Sequence, residues 1–165
     1  MSKSEDALKE AFAGESQANR SYLAFAAKAE QEGFSQAAKL FRAAAEAETV
    51  HAHNHLRALN KILSTKENLQ AAIAGEIHEF KSMYPAMIEA AKADGNKAAE
   101  RSFQYANEVE KIHAKLYQEM FDNLGTAQEA YPYFVCPVCG YTCEKEAPEV
   151  CPVCGAKGKL FKKVE

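Results

Sequence analysis

The chain has 165 residues, enough for one domain with a small appendage, and its 47% hydrophobic content is ordinary for a globular protein. A net charge of -3 with no basic block argues against nucleic acid as a partner. The N-terminus has no apolar signal core, and no run approaches the roughly 20 apolar residues of a membrane helix. A soluble, cytoplasmic protein is the expectation.

Residues 5–124 are rich in Ala, Glu and Lys and hold one proline, Pro85. Helix punctuation cuts this stretch into four, near residues 5–31, 35–63, 66–93 and 96–124. Gly33 and Gly95 stand in short breaks between Ala-rich segments, as helix-ending glycines do. Ser64-Thr65-Lys66-Glu67 reads as a capping box opening the third helix. Pro85 is expected to bend that helix. The prolines after Tyr131 mark a change of character, which sets the division at residues 1–128 for the helical part and 129–165 for a turn-rich knuckle.

The helical part repeats a ligand pattern. Glu15 is followed by Glu48 with His51 three beyond it, and Glu76 by Glu110 with His113 three beyond that. On a helix, residues three apart share a face, so each Glu-x-x-His pair can grip one ion. Two single glutamates plus two such pairs form the ligand set of a carboxylate-bridged di-metal site in a four-helix bundle. Phe41, Glu46, Glu48 and His51 recur as Phe103, Glu108, Glu110 and His113, and Phe12-Ala-Gly-Glu15 resembles Ile73-Ala-Gly-Glu76.

Most glutamates of such helices are solvated, but these share stripes with apolar neighbours. Glu48 aligns with Phe41, Ala44, Ala45, Ala52 and Leu56; Glu110 with Phe103, Ala106, Ala114 and Tyr117; Glu15 with Ala11, Phe12, Tyr22 and Leu23. Ionised carboxylates there cost several kcal/mol each unless paired or bound to metal. Glu79, one turn after Glu76, has Ala18 as its counterpart and breaks the symmetry. A second carboxylate offers one metal a choice of ligand, which suits a metal that changes oxidation state; oxygen ligands with one imidazole per metal favour iron or manganese. His55 is a rival ligand one turn beyond His51; solvated or supporting roles suffice for His53 and His78. Tyr22 and Tyr84 each follow a metal-binding glutamate at helical spacing, and either a hydrogen bond to a carboxylate or plain packing accounts for them. Gly14 and Gly75 fit close helix packing as well as ligand access.

Cys136-Pro-Val-Cys139 and Cys151-Pro-Val-Cys154 form the knuckle, and Cys143 is a spare thiol. In a reducing compartment the two pairs indicate one tetrahedral four-thiolate site rather than disulfides. Zinc and a single iron both accept that geometry. Zinc makes the module structural, iron makes it a one-electron carrier, and a redox-capable bundle alongside favours iron.

With these motifs in view the chain resembles rubrerythrin over nearly its whole length, through Ala-Gly-Glu15-Ser-Gln-Ala, Glu48-x-x-His51, Gly-Glu76-x-x-Glu79, Met-Tyr84-Pro, Glu110-x-x-His113 and the four paired cysteines. The resemblance implies an all-α ferritin-like four-helix bundle with a C-terminal rubredoxin-like domain. It implies a non-haem di-iron peroxidase that reduces hydrogen peroxide to water and protects against oxidative stress. Glu48 and Glu110 take bridging roles in that reading, Glu15, Glu76 and His113 terminal ones; His51 and Glu79 exchange on one iron, and Tyr22 and Tyr84 are supporting tyrosines. The external donor it implies is rubredoxin or an NAD(P)H-dependent flavoprotein. One departure stands out: the second and third helices are joined by only about three residues near Ser64, where the family's bundle has a long crossover. Either the bundle is simple up-down-up-down, or a homodimer exchanges helix pairs; the latter is favoured as a low-cost route to a dimer. The rival functions are a ferritin-like ferroxidase that handles iron, and a non-enzymatic module with zinc at the cysteines.

Overall fold

The computed structural model describes residues 2–126 and 130–165. By its internal contacts the chain forms two compact units, Met1–Leu63 and Ser64–Glu165. The expected division between residues 128 and 129 falls outside the described residues.

The first unit is a helical hairpin of α1 (Lys3–Gln31) and α2 (Ser35–Ala58). Ser2 caps α1 by accepting from the Glu5 N–H, with Glu5 and Asp6 favourably placed against the positive helix end. The helices meet through small residues: Ala26, Ala29, Ala38, Ala45 and Ala52 are all buried. The second helix stops five residues short of the expected 63, because Asn60 takes the left-handed conformation at φ 52°. Its N–H bonds the Arg57 carbonyl and that of Lys61 bonds Leu56, the same double-bonded stop that Gly33 gives α1. Asparagine is the residue that tolerates this position after glycine.

The second unit begins with α3 (Thr65–His78), opened by the expected capping box between Ser64 and Glu67. A π-helical turn, Glu79–Met83, separates α3 from α4 (Tyr84–Ala93), and α5 (Lys97–Asp122) packs back against them. The expected bend at Pro85 thus takes the form of a widened turn. Proline has no N–H to give and its ring crowds the carbonyl four residues back. The chain answers with one looser turn, in which the Tyr84 N–H reaches the Glu79 carbonyl five residues back.

The two units pack their aromatics alike. Tyr22 and Phe41 lie 6.2 Å apart at 37°, and Tyr84 and Phe103 lie 6.3 Å apart at 38°. Sequence repetition has become repeated geometry.

The knuckle is a three-stranded antiparallel sheet ordered β2-β1-β3, from β1 (Tyr133–Val135), β2 (Thr142–Glu144) and β3 (Lys162–Val164). Val135 pairs with Thr142, and β2 touches α5 within the same unit. No helix among the described residues is long and apolar enough to cross a membrane.

Candidate metal centre

Two clusters of three ligands are present, one per unit, with ligand atoms within 4.8 Å of one another. In the first, α1 supplies Glu15 and α2 supplies Glu48 and His51. The His51 Nδ1 lies 2.8 Å from Glu48 Oε2 and 3.7 Å from Glu15 Oε1. In the second, α3 supplies Glu76 and α5 supplies Glu110 and His113. The His113 Nδ1 lies 2.7 Å from Glu110 Oε2 and 3.9 Å from Glu76 Oε1. Each imidazole turns the same nitrogen toward its carboxylates.

The helix register of the first cluster has a fastener, Asn19, with little to mark it in the sequence. Asn19, one turn beyond Glu15, is buried and donates from Nδ2 to the Ala45 carbonyl at 2.6 Å and to Thr49 Oγ1 at 2.9 Å. Thr49 directly follows Glu48, so these bonds hold α1 and α2 at the level where Glu15 meets Glu48. A polar side chain between apolar positions was the only signal.

The second cluster is crowded with negative charge. Burial, followed by the charge of Glu110, pushes the Glu76 carboxyl up to about 7. Glu79, on the π turn, is raised by burial and then by Glu110, although it is not one of the three gathered ligands. Tyr84 is raised by burial and then by Glu79, Glu110 and Glu76, which keeps its phenol protonated beside them. Tyr117 is raised by burial and by Glu76 and Glu110. Tyr22 sits in the aromatic group with Phe25 and Phe41. Converging oxygen donors that repel one another, with one imidazole, are what a di- or trivalent cation relieves. His53, His55 and His78 belong to neither cluster.

A bond that sequence reading missed joins this cluster to the knuckle. His113 Nε2 lies 3.0 Å from Thr142 Oγ1 at the start of β2, and the Thr142 hydroxyl donates to the Gly140 carbonyl at 3.0 Å. Beside it is a cavity of about 320 Å³ lined by Leu69, Leu116, Met120, Tyr117 and Tyr133.

In the knuckle the four thiols Cys136, Cys139, Cys151 and Cys154 converge. Cys136 and Cys154, and Cys139 and Cys151, are 3.6 Å apart at sulfur. A disulfide needs about 2.05 Å; a tetrahedral ion with metal–sulfur bonds of about 2.3 Å sets sulfurs about 3.8 Å apart. Gly140 and Gly155, at φ 87° and 77°, make the two turns, and their N–H groups bond the carbonyls of Cys136 and Cys151. Burial raises the Cys139 thiol. For Cys151 the opposing burial is outweighed by the N–H groups of Cys154 and Val153 and by neighbouring thiols, which lower it. Cys143 stands apart, its thiol near the Phe134 and Glu146 carbonyls.

Residues 6–121 match the family described as Rubrerythrin, and residues 134–162 match its rubredoxin-like domain. The chain belongs to the rubrerythrin family. Among its relatives are rubrerythrin-2 of Clostridium acetobutylicum, 41% identical over 94% of both chains, and nigerythrin of Nitratidesulfovibrio vulgaris, 35% identical over 89% of this chain and 79% of that one. The structure of fully reduced, all-ferrous nigerythrin superposes with a TM-score of 0.60 at 31% identity, covering 99% of this chain and 88% of that one. As in other rubrerythrins, the Glu/His groups provide for a di-iron centre and the four cysteines for a rubredoxin-type iron, and the chain is an oxidoreductase of that type.

Proposed function

We propose that this rubrerythrin is a non-haem di-iron peroxidase that reduces hydrogen peroxide to water, with electrons relayed through the knuckle iron. The observation that supports the reading is the hydrogen bond between His113 Nε2 and Thr142 Oγ1, which brings the cysteine knuckle against a bundle ligand within one chain. An iron-storage or ferroxidase role has no use for such a carrier. The reaction consumes two electrons and two protons per peroxide and yields two waters.

In this reading Glu48 and Glu110 would be the carboxylates shared by the two irons, Glu15, Glu76 and His113 would each hold one iron, and His51 and Glu79 would be alternative ligands. When bound, the irons would supply the two electrons that peroxide reduction takes up. Tyr84 keeps a phenol proton beside Glu79, Glu110 and Glu76, available as a hydrogen-bond donor to them; Tyr22 stands at the equivalent place in the other repeat. The cysteine module, divided from the bundle near residues 128–129, passes electrons singly from an external donor, rubredoxin or an NAD(P)H-dependent flavoprotein, in the cytoplasm.

The two ligand clusters join into one centre through exchange of hairpins between two copies. The connector from Leu59 to Ser64 is longer than the expected three residues, yet it reaches only about 20 Å extended. The 24-residue α2 is about 36 Å long. That shortfall bars the chain from returning along α2 to start a parallel third helix.

The iron-loaded protein, reduced without oxygen and mixed with hydrogen peroxide or oxygen, tests the activity through the red colour of the ferric knuckle. Peroxide restores the colour far faster than oxygen if the reading is right. Faster return with oxygen replaces it with an oxidase or ferroxidase, and no colour after iron loading assigns the knuckle to zinc.

A further inference from the structure

We propose that Thr142 is a positioning residue for His113: from the knuckle, it fixes the ring so that Nδ1 faces the carboxylates as a metal-binding lone pair. The inference rests on the di-metal reading and adds to it the source of the centre's asymmetry. The Thr142 hydroxyl has one proton, and the Gly140 carbonyl takes it. Toward His113 the oxygen therefore accepts, which places the ring proton on Nε2. The opposite nitrogen, Nδ1, then carries the lone pair, and it is the one turned toward Glu110 and Glu76. Metal-bound histidines are held in this manner by a partner on the far nitrogen.

The other repeat has no such brace. Among the described residues, His51 Nε2 has no hydrogen-bond partner, and its side chain is 53% exposed against 27% for His113. Two imidazoles with the same inner geometry thus differ on their outer side. The brace comes from the module that holds the cysteines, so knuckle docking and ligand orientation are one event.

The test uses the full chain with zinc already in the cysteine site, titrated with further Zn(II) by calorimetry, and nitrogen-15 NMR of the histidines in the zinc-loaded protein. Thr142→Val keeps the shape but loses the acceptor; Thr142→Ser restores it. Thr142→Val should weaken the bundle's zinc binding by about tenfold or more. It should also turn the slowly exchanging His113 Nε2 proton into a fast one and leave the His51 resonances in place. Thr142→Ser should recover both affinity and proton. Retention of one zinc per chain at the cysteines shows that the variant knuckle is folded. Unchanged affinity with a slow proton in Thr142→Val, or no rescue by serine, overturns the inference while leaving the metal centre intact. A wild-type chain that takes no zinc beyond the knuckle overturns the metal centre, and the inference with it.

Discussion

At the scale of single residues, the two ligand clusters could be read from spacing, because Glu-x-x-His on a helix has few ways to be arranged. The residues that hold those ligands could not. Asn19 and Thr142 act through bonds to residues distant in sequence, and neither residue type is informative without its partner. Asn19→Leu should cost about 1–2 kcal/mol, since two buried hydrogen bonds go while the Ala45 carbonyl keeps its bond from Thr49. Chemical denaturation measures that cost. A larger drop in metal affinity than in Asn54→Leu, an exposed control on α2, would tie the loss to the register of Glu15 and Glu48. Glu76 gives a second prediction. Its carboxyl ordinarily titrates near 4.5 and is raised to about 7 in the metal-free fold. Between those values the folded chain holds a proton that the unfolded chain has released, so unfolding free energy falls as pH rises through this window. The urea midpoint of metal-free protein should therefore be lower at pH 8 than at pH 5 from this group, and Glu76→Gln should flatten the slope. Metal loading should release protons most strongly below pH 7. A slope unchanged by Glu76→Gln would place the proton elsewhere.

At the scale of elements, glycine stops and the capping box located most helix ends, and two features escaped. Asn60 ends α2 early, but asparagine takes the left-handed turn less often than glycine, and Leu59, Ile62 and Leu63 around it continue an apolar pattern. The π turn escaped because its extra residue shows only as a one-residue shift in spacing: Tyr84 follows Glu76 by eight residues where Tyr22 follows Glu15 by seven. Pro85 was the visible symptom. If the turn accommodates the proline, the two should be coupled. Deleting Ser82 closes the turn to an ordinary helix and forces Pro85 into a helix interior, at a cost of about 3 kcal/mol. Pro85→Ala in the same deletion should recover most of that stability, as followed by thermal melting. The recovered protein should nonetheless react differently, because Glu79 leaves its place beside Glu110 and Glu76. Full stability of the deletion with Pro85 retained would break the link between proline and turn.

At the scale of the whole molecule, the connector between α2 and α3 limits how the two ligand clusters can meet. The fold class was legible because alanine-rich helices and paired cysteines permit few architectures, and the aromatic pairs of the two units repeat almost to the degree. Among the described residues, each unit gathers three such ligands with one imidazole, half of the set that a di-metal site takes. Completing the centre needs both units, and six connecting residues are too short to run back along α2. A connector that short leaves a simple up-down-up-down bundle or the proposed exchange between two copies, and exposed apolar side chains such as Leu23, Phe25 and Tyr117 give the exchange surface to cover. Sedimentation of the native protein should therefore show a dimer. Inserting about 15 Gly/Ser residues between Lys61 and Ile62 adds a flexible reach of roughly 20 Å at root mean square and far more when stretched. The chain can then close on itself, and dilution should yield a monomer that still binds two bundle metals per chain. Domain-exchanged dimers respond to connector length in this way, whereas a dimer of self-contained bundles does not. A native monomer with two bundle metals would refute the exchange, and so would a dimer whose dissociation is indifferent to the insertion.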